Sequence, residues 1–266
     1  PHATALDGQT VISSVGSAIN RTVAPFRPAG GAWSSAHDMI RYVGLELAEG
    51  KLPNGQQLVS KDALFARRAR GVRTGENQWY GMGLWDDSRT GVTVIDHGGD
   101  LVGFHSDMMW VPSAGAGAVI LTNSDDGVYL RGPLMRRLLE LLYDGKPEAE
   151  AEIKAAAARS KAETADLRGR ITLPADPAAV AALASRYTNT ELGPLTVVRN
   201  GNRLSFRFAA WESGMGTHRN TDGSLSFVTA APGLTGVDLV VGSTAGKRSL
   251  TVRDSQHEYV FTEVTP

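Results

Sequence analysis

Four consecutive residues, His97, Gly98, Gly99 and Asp100, carry the clearest chemical signal in this chain. An imidazole gains or loses a proton near neutral pH, so His97 is a candidate to bind a substrate carboxylate or to assist proton transfer. Gly98 and Gly99 have no Cβ, which lets a ligand backbone lie against a strand edge. The backbone N–H of Asp100 would point into the same space as half of an oxyanion hole. These residue types together predict a ligand site at a strand edge.

The segments around these residues predict an antiparallel sheet. Val92–Asp96, His105–Val111 and Ala118–Thr122 are rich in Val, Ile, Met and Trp, with Gly and Pro at the breaks. This composition is typical of strands, and we expect the Gly-Gly pair at the end of the first strand. Trp79–Trp85 predicts a further strand interrupted by glycines.

Helices are expected beside this sheet. Ser35 and Asp38 form a capping box, which predicts a helix that ends near Gly50. Ser60 is expected to cap a second, short helix. The leucines within 134–142 have helical spacing and predict an amphipathic helix.

The second half of the chain has a different pattern. Residues 148–174 are Ala-rich and charged, which favours a helical linker with no core of its own. Residues 175–266 contain short alternating segments with hairpin turn signals at 200–202 and 222–223, which predict a sandwich or a small closed barrel. Residues 1–147 are predicted to form the first domain, of which Pro1–Pro28 is expected to be loop-like.

Composition gives little support to several classes of function. With 42% apolar and 21% charged residues and a formal charge of −1, the chain of 266 residues gives no argument for nucleic acid or an anionic membrane. It has no Cys, hence no disulfide or thiolate metal site, and no apolar run approaches the roughly 18 residues that span a bilayer. His105 has no HExxH motif or carboxylate cluster near it, so we expect neither a metal nor a cofactor.

Four spaced motifs resemble the class C β-lactamase-like and penicillin-binding-protein-like serine hydrolases, over roughly residues 1–145. The family's Lys-Thr-Gly triplet corresponds to His97-Gly98-Gly99. In the family's Gly-His-Gly-Gly motif, Asp96 occupies a position where Gly is commoner. Compared with the family's Tyr-Gly-x-Gly-Trp motif, this chain has one additional residue, Leu84. The matching segments are Pro28–Met39, Tyr80–Trp85, Asp96–Gly99, and Gly103-Phe104 with Pro112 and Leu121–Asn123.

The resemblance implies a mechanism whose first parts are missing from the chain. In the family a Ser attacks an acyl carbonyl, a Lys one helical turn later and a Tyr from Tyr-x-Asn move the proton, and the strand-edge triplet orients the substrate. The chain has no Ser-x-x-Lys, and its one Tyr-x-Asn, Tyr187–Asn189, is out of order and interpreted as a coincidence. We therefore expect the C-terminal portion of the hydrolase, inactive alone, whose partner is the missing N-terminal half of the catalytic domain.

The resemblance also assigns roles and a fold. His97 and the N–H of Asp100 are the predicted catalytic groups, and Gly98, Gly99, Gly103 and Phe104 the predicted substrate-binding residues. The fold class is α+β, an antiparallel sheet with flanking helices as in the C-terminal part of a β-lactamase-like fold, followed by a small all-β, lipocalin-like barrel. Because His replaces Lys, esters, amides or peptides are favoured as substrates over β-lactams. The family alone favours a periplasmic or extracellular location.

One alternative from another class of function remains open. The chain could be a non-catalytic ligand-binding or scaffold protein derived from this family, with a small-ligand site in the β domain. Trp211 and His218 would then face the barrel mouth, although a barrel of this size is usually filled by its own side chains.

Overall fold

The computed structural model describes residues 1–12, 21, 24–26 and 28–264. The chain forms two compact units, Phe26–Ala157 together with Pro1, and Ala158–Pro266 together with His2–Pro25. Each unit has a hydrophobic core of its own. Within the described ranges, no helix combines the length and the apolar content that crossing a bilayer requires.

The first unit contains a six-stranded antiparallel sheet in sequence order. Its strands are β3 (Val72–Gly75), β4 (Gln78–Tyr80), β5 (Trp85–Asp87), β6 (Val94–Leu101), β7 (Phe104–Val111) and β8 (Ala116–Thr122). Two details of the prediction were wrong. Strand β6 continues through the two glycines to Leu101, because pairing with β7 extends along the whole segment. Trp79–Trp85 is not one strand, because β4 and β5 pair with each other around the turn between Tyr80 and Trp85. The predicted α+β class is confirmed.

Five α-helices are described. Both predicted caps are confirmed, since Ser35 Oγ accepts a hydrogen bond from the Asp38 N–H at 3.1 Å and Ser60 Oγ accepts one from the Ala63 N–H at 3.2 Å. The helices are α1 (Ala36–Leu47), α2 (Lys61–Arg68), α3 (Arg131–Leu142), α4 (Ala149–Arg170) and α5 (Pro177–Ala182).

Helices cover the two faces of the sheet. On one face, called the α1 face, side chains of α1 pack on the strands through Val43, Leu47, Leu84, Ile95, Met108, Trp110 and Val119. On the other, called the α3 face, α3 packs through Val94, Met109, Val111, Leu134, Met135, Leu138, Leu139 and Leu142. Because side chains alternate along a strand, neighbouring residues of β6 project to opposite faces.

A buried carboxylate joins α1 to α2. Glu46 on α1 is fully buried and forms ion pairs with Arg67 and Arg68, the latter at 2.6 Å, while Tyr42 donates to the same carboxylate at 2.7 Å. An unpaired charge here would be costly, so the two arginines fix the position of α2 against α1.

The second unit contains a closed barrel of strands β9 to β16. The barrel closes where β16 pairs with β9, at Thr262 opposite Thr188 and Glu263 opposite Tyr187. The strands are Arg186–Asn189, Gly193–Asn200, Arg203–Arg207, Glu212–Arg219, Leu225–Thr229, Asp238–Thr244, Lys247–Arg253 and Glu258–Glu263, in order from β9 to β16.

Side chains fill the interior of this barrel. Its core comprises buried residues from all eight strands, among them Leu195, Leu204, Phe206, Met215, Phe227, Leu239, Leu250 and Phe261. Tyr187 belongs to the same core, and its hydroxyl accepts a hydrogen bond from the Ala184 N–H at 3.0 Å. Its role is thus structural, in agreement with the interpretation of Tyr187–Asn189 as a coincidence.

An N-terminal hairpin packs with the second unit. Strands β1 (His2–Thr4) and β2 (Thr10–Ile12) form a two-stranded antiparallel sheet, and Leu6 between them is buried against Ile171 and Val228. The prediction of a loop for Pro1–Pro28 was therefore wrong over these two strands. The sequence around Leu6 has no apolar periodicity from which its burial could be predicted. Residues 13–20, 22, 23 and 27 of that predicted loop lie outside the described residues.

Candidate active site

Part of strand β6 has a free edge. Strand β7 pairs with β6 from Ile95 to Leu101, but β5 pairs only with Val94–Asp96. From His97 to Leu101, the edge that faces away from β7 therefore has no partner among the strands that the structure describes. An unpaired strand edge offers N–H and C=O groups to another extended backbone.

The β6–β7 turn determines which backbone groups point to that edge. Val102 and Gly103 form a two-residue turn, with Gly103 at φ +77°, and this places Leu101 opposite Phe104. The turn directs the polar groups of Leu101 toward Phe104, and such groups alternate between the two sides of a strand. The N–H groups of Gly98 and Asp100 consequently point away from β7, to the free edge.

His97 lies on the α1 face and is half-buried, opposite Met108 of β7. Its Nε2 is 3.2 Å from the Tyr80 hydroxyl, and the Tyr80 ring lies 4.6 Å from the Trp85 ring, centroid to centroid. This contact orients the imidazole, and it links the Tyr80–Trp85 motif to the His-Gly-Gly motif in space.

Two aromatic side chains stand at the turn end of the same face. Phe104 pairs with Leu101, which places it on the α1 face with His97. Trp33 packs edge-on against Phe104 with ring centroids 5.5 Å apart, and it remains 67% exposed. Between this pair and His97, a Cβ added at Gly99 would come within 2.7 Å of Ser106 Oγ.

A glycine is required at position 98 because of a contact on the α3 face. A Cβ built on Gly98 would overlap the guanidinium of Arg131, which crosses the strand there. Gly103 also has an internal role, because its N–H donates to Asp125 Oδ1 at 2.6 Å. The space beside Gly98 on the α3 face thus belongs to Arg131, and the Gly103 N–H is engaged within the fold.

Arg131 joins a network of charges on the α3 face. Its Nη1 donates to both carboxylate oxygens of Asp100, at 2.8 and 2.7 Å, and its Nε lies 3.7 Å from Asp107 Oδ2. His105 Nδ1 is 2.6 Å from Asp100 Oδ1. The side chain of Asp100 is held on this face while its N–H points to the free edge.

Burial and ion pairing alter the acidity of three aspartates here. Partial burial alone would raise the pKa of Asp100, but hydrogen bonds from His105 and Arg131 outweigh it and hold the pKa below its ordinary value. Burial raises the pKa of Asp107 to about 6, against the opposing charge of Arg131. Burial, and then the neighbouring charge of Asp107, raise the pKa of Asp96 to about 7.

No group of three or more His, Cys, Asp and Glu side chains within the described part of the chain is arranged to hold a metal ion. His105, the residue considered as a zinc ligand, instead bonds Asp100 and has Asp125 Oδ1 at 3.9 Å from its Nε2.

The structure brings most of the predicted site residues onto one hairpin, β6–β7. His97 and Phe104 share the α1 face, the Asp100 N–H points to the free edge, and Gly98 accommodates Arg131. Sequence analysis missed Trp33, Arg131 and the Tyr80–His97 contact. Tyr80 lies in a motif that was recognised, whereas Arg131 is 31 residues from Asp100 and has no local signal.

Several solved structures are similar to the chain. An octameric penicillin-binding protein homologue from Pyrococcus abyssi is 15% identical with a TM-score of 0.39, and the match covers 86% of this chain and 47% of that one. SurE with D-Leu is 18% identical, with a TM-score of 0.33 and coverage of 85% and 49%. SurE in another crystal structure is 20% identical, with a TM-score of 0.33 and coverage of 85% and 48%. The chain spans about half the length of each.

No curated protein matches the chain. A protein-family model described as Beta-lactamase matches residues 3–141, more than half of the chain. This match includes α1, the whole six-stranded sheet and the candidate site. The chain therefore belongs to the beta-lactamase family.

Proposed function

We propose that this chain is the C-terminal portion of a serine hydrolase that acts on esters, amides or peptides through an acyl-enzyme. The nucleophilic Ser and its Lys lie outside these 266 residues, since none of them forms Ser-x-x-Lys. The serine Oγ attacks the acyl carbonyl, the leaving group departs with a proton, and water then releases the acid. The chain supplies the strand edge that binds the acyl group.

The free edge of β6 is the observation that carries this proposal. An extended acyl chain can pair with the outward backbone groups of Gly98 and Asp100, and the N–H of Asp100 is available to a developing oxyanion. A strand edge of this kind, in a sheet of the beta-lactamase family, is suited to acyl transfer.

His97 would act from the α1 face beside that edge. An imidazole can donate to a substrate oxygen or pass a proton, and its contact with Tyr80 gives it a defined orientation. It does not carry the permanent positive charge that a Lys would present to a carboxylate. This favours neutral acyl substrates over those with a fixed carboxylate.

The proposed partner is the N-terminal half of the same catalytic domain. Strand β8 is at the edge of the described sheet, pairs there only with β7, and is apolar from Ala116 to Leu121. A long apolar edge is normally covered in a native protein. A strand from the missing half that pairs with β8 would cover it.

The test uses the full-length protein that contains these 266 residues. A fluorophosphonate probe should label one Ser upstream of Pro1, and an ester substrate should give a burst of product equal to the enzyme concentration. The 266-residue chain serves as the control and should remain unlabelled. Absence of label and burst in the full-length protein would overturn the proposal.

A further inference from the structure

We infer that Arg131 and His105 are positioning residues, which hold the side chain of Asp100 on the α3 face so that its N–H stays fixed at the free edge of β6. This inference rests on the proposed function, in which that N–H is an oxyanion donor.

The geometry of Arg131 supports this role. Its Nη1 donates to both oxygens of Asp100; the Arg131 side chain is 24% exposed and that of Asp100 is 56% exposed. Charge-assisted hydrogen bonds of this kind are roughly twice as strong as bonds between neutral groups. Movement of the Asp100 side chain away from the α3 face would break both contacts.

His105 holds the same carboxylate from the neighbouring strand. Its Nδ1 is 2.6 Å from Asp100 Oδ1, and residues 100 and 105 are direct partners across the β6–β7 ladder. Asp100 is thus tied to β7 through a side chain, and to α3 through Arg131. Two elements fix a residue whose other edge has no strand beside it among those that the structure describes.

Gly98 indicates that the strand is fitted to Arg131. The guanidinium of Arg131 occupies the position that a Cβ on residue 98 would take, on the face away from His97. The first glycine of the His-Gly-Gly motif is thereby explained by a contact on the α3 face. A displaced guanidinium would release Asp100 at the turn end of β6.

The backbone position can be measured directly in the full-length protein. The ¹⁵N order parameter of the Asp100 amide should be near the rigid value of about 0.85, and should fall toward about 0.6 in Arg131→Gln. Arg137→Gln, which removes another ion-paired arginine from α3, is the matched control and should leave it unchanged. An unchanged Asp100 value in Arg131→Gln would overturn the inference.

Kinetics of the full-length enzyme test the consequence for the acyl step. Complete loss of one oxyanion donor costs about 10²–10³ in kcat, so a loosened donor in Arg131→Gln should cost about tenfold. KM should stay constant, because the contact strengthens in the transition state. His105→Asn keeps a donor near the Nδ1 position and should retain more kcat than His105→Leu.

Gly98→Ala gives a second, independent test. In the wild-type background it should lower kcat as Arg131→Gln does, by displacing the guanidinium. In an Arg131→Ala background the same substitution should change kcat less than twofold, since the space is empty. If Gly98→Ala instead raises KM equally in both backgrounds, the space serves the substrate and the inference is wrong.

Failure of the inference differs from failure of the proposed function. A wild-type enzyme that acylates, with Arg131→Gln equally active, overturns the inference alone. A full-length wild-type protein that forms no acyl-enzyme overturns the proposed function, and with it any catalytic role of the contacts that Arg131 and His105 make with Asp100.

Discussion

On the α1 face of the β6–β7 hairpin, His97 bonds Tyr80 and Phe104 packs with an exposed Trp33. On the α3 face of the same hairpin, the side chains of Asp100, His105 and Arg131 are joined by contacts of 2.6–2.8 Å. The side chains on the α1 face are open to a ligand, whereas those on the α3 face bind one another. Substitutions on the α1 face should therefore lower activity, and substitutions on the α3 face should lower stability.

The largest effect is expected from His97→Ala in the full-length enzyme. General acid–base groups contribute about 10²–10⁴ in rate, so kcat should fall at least about 10²-fold. Stability should fall by only about 1 kcal/mol, because one hydrogen bond is lost. Steady-state kinetics and thermal unfolding measure the two quantities.

Tyr80→Phe is the control for His97, as it removes the contact but keeps the imidazole. It should reduce kcat by less than His97→Ala. A His97→Ala enzyme that is fully active but strongly destabilised would show that this face is structural too.

Arg131→Ala should have the opposite profile, a loss of stability in the full-length protein. Breaking a buried ion pair typically costs about 3–5 kcal/mol, and the exposure of Asp100 reduces the expected loss to about 2–3 kcal/mol at pH 8. The loss should be smaller at pH 5, where Asp107, with a pKa of about 6, is protonated and no longer needs a countercharge. Urea unfolding at the two pH values gives the comparison, and an equal loss at both would contradict it.

Asp96→Asn should stabilise the chain at alkaline pH. Its pKa is raised from 3.8 to about 7 in the folded state, so the folded protein keeps a proton that the unfolded chain releases. Stability from this group is therefore lost as pH rises from about 4 to 7. One pKa unit corresponds to about 1.4 kcal/mol, and partial contact of Asp96 with water reduces the effect. The free energy of unfolding of Asp96→Asn should therefore exceed that of the wild type by about 1–3 kcal/mol at pH 8.

The Asp96→Asn gain should disappear below about pH 4, where the carboxyl is neutral in both states. Asp222→Asn, at an exposed turn of the barrel, is the control and should show no gain at pH 8. Equal stability of Asp96→Asn and wild type at pH 8 would show that Asp96 has no raised pKa.

The smallest effect is expected from Gly99→Ala. Its Cβ would meet only the hydroxyl of Ser106, at 2.7 Å, which can rotate away, so unfolding should change by less than about 1 kcal/mol. The methyl group projects to the α1 face, where it should raise KM in the full-length enzyme. A large loss of stability from Gly99→Ala would remove the contrast between the faces.

Local patterns predicted much of the fold. The caps at Ser35 and Ser60, strand β7, and the turn after Asn200 follow from residues close in sequence. The extension of β6 through Gly98 and Gly99 did not, because glycine has low strand propensity and pairing with β7 overrides it. Hairpin β1–β2 was missed because the burial of Leu6 depends on distant residues.

The candidate site was predictable only in part. His97 and Asp100 lie in one short motif that the sequence reveals. Their partners lie in other segments: Tyr80 is 17 residues from His97, and Arg131 is 31 residues from Asp100. Side-chain contacts over such separations depend on the folded sheet. The predicted domain limits, the lipocalin-like relationship of the barrel and the catalytic roles of the site residues stay predictions.

The filled barrel constrains how the second unit can diversify. Its centre is occupied by residues such as Leu195, Phe206 and Phe261, so enlarging a pocket there would cost several kcal/mol per truncated side chain. Sequence drift that preserves folding must accumulate in the outward positions and in the hairpin loops. An engineer who wants new recognition from this unit should randomise those loops and leave the lumen untouched.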